Sequence, residues 1–127
     1  MLFRSTGARK TTTAAHLLRR EAWKLGKSPT FKNVAELFLE LRESIQNHNE
    51  RNCIKKFQTA EILLLDDLAS EKISDYSVTS IYLILNHRGE RNLPTIITSN
   101  LTLEEIGTRI DDRVANRLKR YGPVYKL

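Results

Sequence analysis

A chain of 127 residues can bury one hydrophobic core but not two ordinary ones, so residues 1–127 are read as a single domain. A hydrophobic fraction of 40% and a charged fraction of 28% are those of a soluble globular protein; no apolar run reaches the roughly 20 residues of a membrane span, and Met1, Leu2 and Phe3 give way at once to polar residues, so neither a membrane anchor nor an export signal is expected and the protein is placed in the cytoplasm. Cys53 stands alone and His16, His48 and His87 are scattered, which excludes an internal disulfide and a zinc-ligand spacing, while a formal charge of +6 and a pI near 9.7 favour an anionic partner.

In chain order, Leu2 and Phe3 read as the stub of a strand, followed by a polar turn through Gly7 and a helix from about Lys10 to Leu25. Ala15, Leu18, Ala22 and Leu25 recur at helical spacing, and Gly26 supplies the stop. Pro29, Thr30 and Phe31 suit a short edge strand. Asn33 with Glu36 has the form of a capping box before a helix whose stripe is Val34, Leu37, Phe38, Leu41 and Ile45. Gln46 to Arg51 is polar and loop-like, and a short helix around Asn52 to Phe57 leads into Ile62, Leu63, Leu64 and Leu65. That unbroken apolar run, ended by Asp66 and Asp67, suits a strand buried on both faces of a parallel sheet.

Ser74 caps the next helix, with Val78, Ile81, Tyr82 and Leu85 on one face. Pro94 opens a strand through Thr95 to Thr98. Thr102 and Glu105 repeat the capping pattern, and Ile110, Val114 and Leu118 mark one face of the last helix, stopped by Gly122 and Pro123; Val124 to Leu127 form a final strand. Strands alternating with helices, without a hairpin signal, imply a three-layer α/β fold: a parallel sheet with helices on both faces.

Three segments carry chemistry. In RSTGARKTTT, Arg4 to Thr11 lie in register with the phosphate-binding pattern GxxxxGK[ST], in which glycines let backbone N–H groups approach phosphate, lysine reaches the β and γ phosphates and the hydroxyl joins Mg²⁺. Only Lys10 and Thr11 satisfy it strictly; Arg4 and Arg9 take the two glycine positions, and by itself the segment fits a basic helix start better than a phosphate loop. In ILLLDDL, a strand delivers Asp66 and Asp67 to its C-terminal end, where ligands of open α/β sheets collect. One acid there can hold Mg²⁺ and the other orient a water, or both can simply turn the chain. In PTIITSN, Asn100 stands at the end of a strand expected beside the Asp66 strand, as a γ-phosphate or water contact or as a turn residue. Arg109, Arg113 and Arg117 recur every four residues and on one helix would form a basic stripe, fit for a neighbouring subunit's γ-phosphate, for a nucleic-acid backbone, or for solvent and Asp111 and Asp112.

Taken together, these segments resemble the AAA+ ATPase core shared by bacterial helicase loaders of the DnaC and DnaI type and by IstB-type transposition helper ATPases. The resemblance covers nearly the whole chain and is most specific from ILLLDDL through DDRVANRL. It implies a P-loop NTPase fold and a nucleotide-binding stretch of Gly7, Ala8, Arg9, Lys10, Thr11 and Thr12, with Lys10 and Thr11 as the Walker A pair. It further implies Thr11 and Asp66 as holders of Mg²⁺, Asp67 as the catalytic Walker B acid, Asn100 as sensor 1, and Arg113 or, preferably, Arg117 as an arginine finger acting across a subunit interface. The implied cofactors are ATP and Mg²⁺. The implied partners are a replicative ring helicase or a transposase, single-stranded DNA and further copies of the chain, with no membrane; the implied role is in DNA replication or, alternatively, transposition. Arg4 and Arg9 also keep open a degenerate, non-hydrolysing domain that binds DNA or a partner protein. Against the family pattern, the sequence opens inside the first strand and ends before a sensor 2 arginine.

Overall fold

Ile62, Leu63, Leu64 and Leu65 are each fully buried, and successive strand residues point to opposite faces, so the sheet that holds them must be covered on both sides. In the computed structural model, which describes residues 2–4, 9–68, 73–122 and 124–126, this is the case. The elements run β1 (Leu2–Arg4), α1 (Arg9–Leu25), β2 (Pro29–Asn33), α2 (Val34–Gln46), α3 (Glu50–Thr59), β3 (Ile62–Leu68), α4 (Asp75–Glu90), β4 (Thr95–Ser99), α5 (Leu103–Arg109), α6 (Asp112–Tyr121) and β5 (Val124–Lys126). The five strands form one sheet in the order β2-β3-β4-β1-β5, and every pairing is parallel.

The two faces are covered unequally. Ile62, Leu64 and Ile96 pack against Ala14 and Leu18 of α1, while Leu63, Leu65 and Ile97 pack into a larger core with Leu37 and Leu41 of α2, Phe57 of α3, Ile81 and Ile84 of α4, and Val114 and Leu118 of α6. β2 lies at the edge of the sheet, as expected.

Several boundaries differ from the sequence reading. The buried line of α1 is Ala14 and Leu18, with Leu17 and Ala22 packed against it; Leu25 is exposed, because Gly26 at φ 61° ends the helix in a left-handed turn. Ile45 is likewise exposed. Asn33 does cap α2, accepting from the Ala35 N–H at 2.9 Å. Of the polar stretch 46–51, only 47–49 form the turn, with α2 reaching Gln46 and α3 starting at Glu50, two residues before the expected Asn52. β3 continues through both aspartates to Leu68. The last helix is two helices, because Asp111 turns its carboxylate onto the Arg113 and Val114 N–H groups and starts α6 afresh.

Arg88, almost wholly buried on α4, ties the layers together. It donates to the Phe57 and Ala60 carbonyls at the end of α3 (3.1 and 2.5 Å), to the Pro94 carbonyl (2.7 Å) and to Thr95 Oγ1 (2.7 Å). Burial pulls its guanidinium down to about 10, which leaves it charged at neutral pH. The cation thus meets carbonyls at a helix C-terminus, where the helix dipole favours positive charge. Arg88→Leu strands those carbonyls without donors, and a urea titration should show a loss of at least about 3 kcal/mol; a loss below about 1 kcal/mol would show that the staple is dispensable.

Candidate functional site

The site is built at the C-terminal edge of β3 and β4. Leu65 pairs with Ile97 and Leu68 with Ser99, so the register shifts between them and Asp66 and Asp67 together oppose the single residue Thr98. One extra residue in β3 makes this a β-bulge, a feature that bends a strand and re-aims its side chains. Thr98 is fully buried and uses its hydroxyl in both directions. Its Oγ1 donates to Asp66 Oδ1 at 2.6 Å and accepts from the Asp67 N–H at 2.8 Å. Next along β4, the Ser99 hydroxyl donates to the Leu68 carbonyl and accepts from the Leu101 N–H at 3.0 Å.

These bonds give the two acids different surroundings. Asp66 is buried, at 8% exposure, on the α1 side of the sheet, whereas Asp67 is exposed and held at φ 63°. A non-glycine residue in that left-handed region is uncommon and worth about 1–2 kcal/mol of strain for a general side chain, less for aspartate. Such outliers persist where the surroundings fix them, here through Thr98.

Arg4, the last residue of β1, pairs with Ser99. The chain therefore leaves β1 at the same edge of the sheet, and the backbone of Arg9, Lys10, Thr11 and Thr12 forms the first turn of α1, which packs across β3 and β4. Gly7 and Ala8 lie outside the described residues. The order of strands inserts β4 between β1 and β3, so the start of α1 and the Asp66 end of β3 are separated by one strand, with Asn100 just beyond its tip, exposed.

The arginines stand elsewhere. Arg109 ends α5 and pairs with Glu105 at 3.7 Å, while Arg113 and Arg117 lie on α6, so the expected single stripe of three is broken at Asp111. Both α6 arginines sit over the Tyr82 ring, with guanidinium carbons 4.9 and 5.4 Å from its centre. Arg113 also pairs with Asp111 at 3.2 Å, and Arg117 donates to Asn86 Oδ1 at 2.7 Å and to the Tyr82 hydroxyl at 3.2 Å. Burial alone would raise the Asp111 carboxyl, but the Arg113 side chain and the capped N–H groups bring it below its ordinary value. Arg117 lines a cavity of about 300 Å³ with Arg88, Pro94 and Thr95, at the N-terminal ends of the strands. The structure thus brings Asp66, Asp67, Asn100 and the start of α1 to one edge and places Arg117 beside the cavity at the other, with Arg113 in the first turn of α6 over Tyr82.

Sequence reasoning gives Thr98 and Asn86 no role, weighs Ser99 only as a turn residue and reads Tyr82 only as part of the apolar face of α4. The strand period did hold a signal for Thr98, since it falls on the same face as Ile96, beside the buried acid.

A five-stranded parallel sheet in this order, with paired acids at the end of one strand and a helix rising from the end of another, defines the core of an AAA+ P-loop NTPase. Residues 1–118 match the family described as IstB-like ATP binding protein, and the chain belongs to that family. It is similar to the replicative helicase loader DnaI of Bacillus subtilis (strain 168), 28% identical over 74 residues, which are 58% of this chain and 24% of DnaI. The chain thus spans about a quarter of that relative. Among solved structures, the DnaC helicase loader matches with a TM-score of 0.87 at 24% identity, covering 99% of this chain and 76% of that one; AMPPCP-bound DnaA from Aquifex aeolicus matches with 0.81 at 19%, covering 99% and 39%. These structural likenesses are of fold.

Because the Thr98 hydroxyl satisfies both acids' segments, Thr98→Val, of nearly equal size, should lower stability by about 1–3 kcal/mol in chemical denaturation, while Thr98→Ser should recover most of the loss. A valine variant as stable as the parent protein would remove the bridge from this description.

Proposed function

We infer that the C-terminal edge of the sheet is an ATP site, and that the protein is an AAA+ ATP-binding protein of the helicase-loader type acting in DNA replication. The observation that carries this reading is the Thr98-held Asp66, which shares an edge and a face of the sheet with the first turn of α1. The description of the family, the similarity to DnaI and the shared fold with a nucleotide-bound DnaA support the class of ligand and of role.

In this reading the backbone N–H groups of Gly7 to Thr12 surround the phosphates, where a helix N-terminus favours anions. Lys10 neutralises the β and γ phosphates, and Asn100 contacts the γ-phosphate or the attacking water that Asp67 orients. Among the described residues no group of three or more His, Cys, Asp or Glu forms a metal cage. A single buried carboxylate on the face of the sheet that α1 covers suits Mg²⁺, which keeps most of its waters and shares phosphate oxygens; Asp66, with Thr11 from the first turn of α1, would hold it. Bound there, Mg²⁺ would supply neutralisation of the phosphate charge. Arg117, held near the opposite edge, serves a neighbouring copy's site, which makes the active species a homo-oligomer. Its partners in this role are a replicative ring helicase and single-stranded DNA in the cytoplasm.

A second reading has its own observation. Arg4 and Arg9 stand where a phosphate loop has glycine, which favours a domain that has lost turnover, or binding altogether, and works through DNA or protein contacts. The description of the family fits a transposition helper, partnered by a transposase, as well as a loader.

ATP with Mg²⁺ should raise the melting temperature by roughly 10 °C at a hundredfold excess over Kd, since a ligand of the folded state alone adds about 2.7 kcal/mol. Asp66→Asn should cut the Mg²⁺-dependent part of that shift. No shift at millimolar ATP, and none after Arg4→Gly with Arg9→Gly, would decide for the decayed site.

A further inference from the structure

Between Arg9 and Lys27 the sequence holds six basic residues and one acid, Glu21, so this short stretch carries nearly all of the chain's net charge of +6. The structure sorts these charges. Ala14 and Leu18 face the sheet, and Glu21 turns with Leu17 toward the cavity beside Ile62. The outward side of α1 presents Arg19, Arg20 and Lys24, all exposed, and Lys27 follows just past the helix end. Among the described residues none of these four has an ion-pair partner.

In their midst stands Trp23, 88% exposed and the single tryptophan of the chain. An indole is large and apolar, so one left bare on a helix is informative in a way that an exposed leucine is not. Its place follows from the helix period, since 19, 20 and 23 lie on one side and 14, 18 and 22 on the other. Gly26 at φ 61° lets the chain reverse there, with the Lys27 N–H returning to the Ala22 carbonyl at 3.1 Å, and Lys27 lines the same depression as Trp23. An open depression of about 560 Å³, lined by Arg19, Ala22, Trp23, Gly26, Lys27 and Pro29, lies alongside.

We propose that this face of α1 is a binding site for single-stranded nucleic acid, with one base stacked on Trp23 and the flanking phosphates met by Arg19, Arg20, Lys24 and Lys27. A flat aromatic platform among unpaired cations matches a ligand that alternates aromatic rings with negative charge. An anionic membrane also attracts cations and tryptophan, but it takes up a continuous apolar helix face. The apolar face of α1 is already against the sheet, and the large apolar side chains left exposed on the helix, Trp23 and the terminal Leu25, do not make a continuous stripe. The site lies on the opposite side of α1 from the sheet and owes nothing to the α6 arginines or to the proposed ATP site.

The test uses Trp23 as its own probe. Oligothymidylate titrated without ATP should quench the emission, with Kd between about 1 and 100 µM at physiological salt. By anisotropy of a labelled oligothymidylate, Trp23→Leu should weaken binding about tenfold and Trp23→Tyr about threefold or less. Arg20→Ala and Lys27→Ala should each flatten the dependence of log Kd on log salt by about 0.7. Absence of quenching up to about 100 µM, quenching by phosphatidylserine vesicles but not by oligothymidylate, or a leucine variant that binds like the parent would each overturn the proposal. Because no nucleotide is present, quenching in a chain that fails to bind ATP would keep this inference and sink the ATP reading, and the reverse result would do the opposite.

Discussion

The hydroxyl of Thr98 is the contact on which the candidate site depends. It is buried between two strands, gives its proton to Asp66 and takes the one from the Asp67 backbone, so a single side chain spans the bulge in β3. Without that bulge, the alternation of a strand would send Asp66 and Asp67 to opposite faces of a sheet whose α2 side is filled with aliphatic residues. With it, Asp66 stays on the α1 side and Asp67 is lifted to the exposed rim in a left-handed conformation. The geometry that separates a buried acid from an exposed one is thus a property of the β3–β4 pair.

The elements legible in the sequence are those that local pattern dictates. The unbroken run Ile62 to Leu65, the stripe of α4 and the cap at Ser74 each follow from burial or capping chemistry within a few residues, and all are present. The parallel sheet follows from their alternation. The features that sequence left hidden are those set by residues far apart in the chain. The bulge needs Thr98 opposite Asp66, thirty-two positions away; Arg88 has no local signal that sets it apart, since its partners come from the end of α3 and the start of β4; and Asp111 reads as helix until its carboxylate caps a new one. Arg109, Arg113 and Arg117 show how a periodic charge pattern misleads, since a four-residue spacing says nothing about whether one helix continues through it.

Charge is distributed by the same architecture. α1 joins the proposed phosphate end to an outward cationic side, so one helix carries most of the excess positive charge. The α6 arginines, by contrast, are engaged by Tyr82, Asn86 and Asp111, which restrains their rotamers and fixes where their remaining donors point. A guanidinium held in this way suits a contact that requires orientation, whereas the free cations around Trp23 suit one that tolerates variety in its ligand.

The central claim, that a metal–triphosphate sits between the start of α1 and the acids of β3, is tested most directly by nuclear magnetic resonance of the labelled protein with Mn²⁺-ATP. The account predicts that paramagnetic broadening removes the amides of Arg9 to Thr12, Asp66 to Leu68, and Ser99 to Asn100 together, while Pro94-side residues such as Thr95 and Asn92 keep theirs. Broadening centred on the Arg88 and Thr95 edge, or none at a concentration of ATP that saturates related proteins, would contradict it.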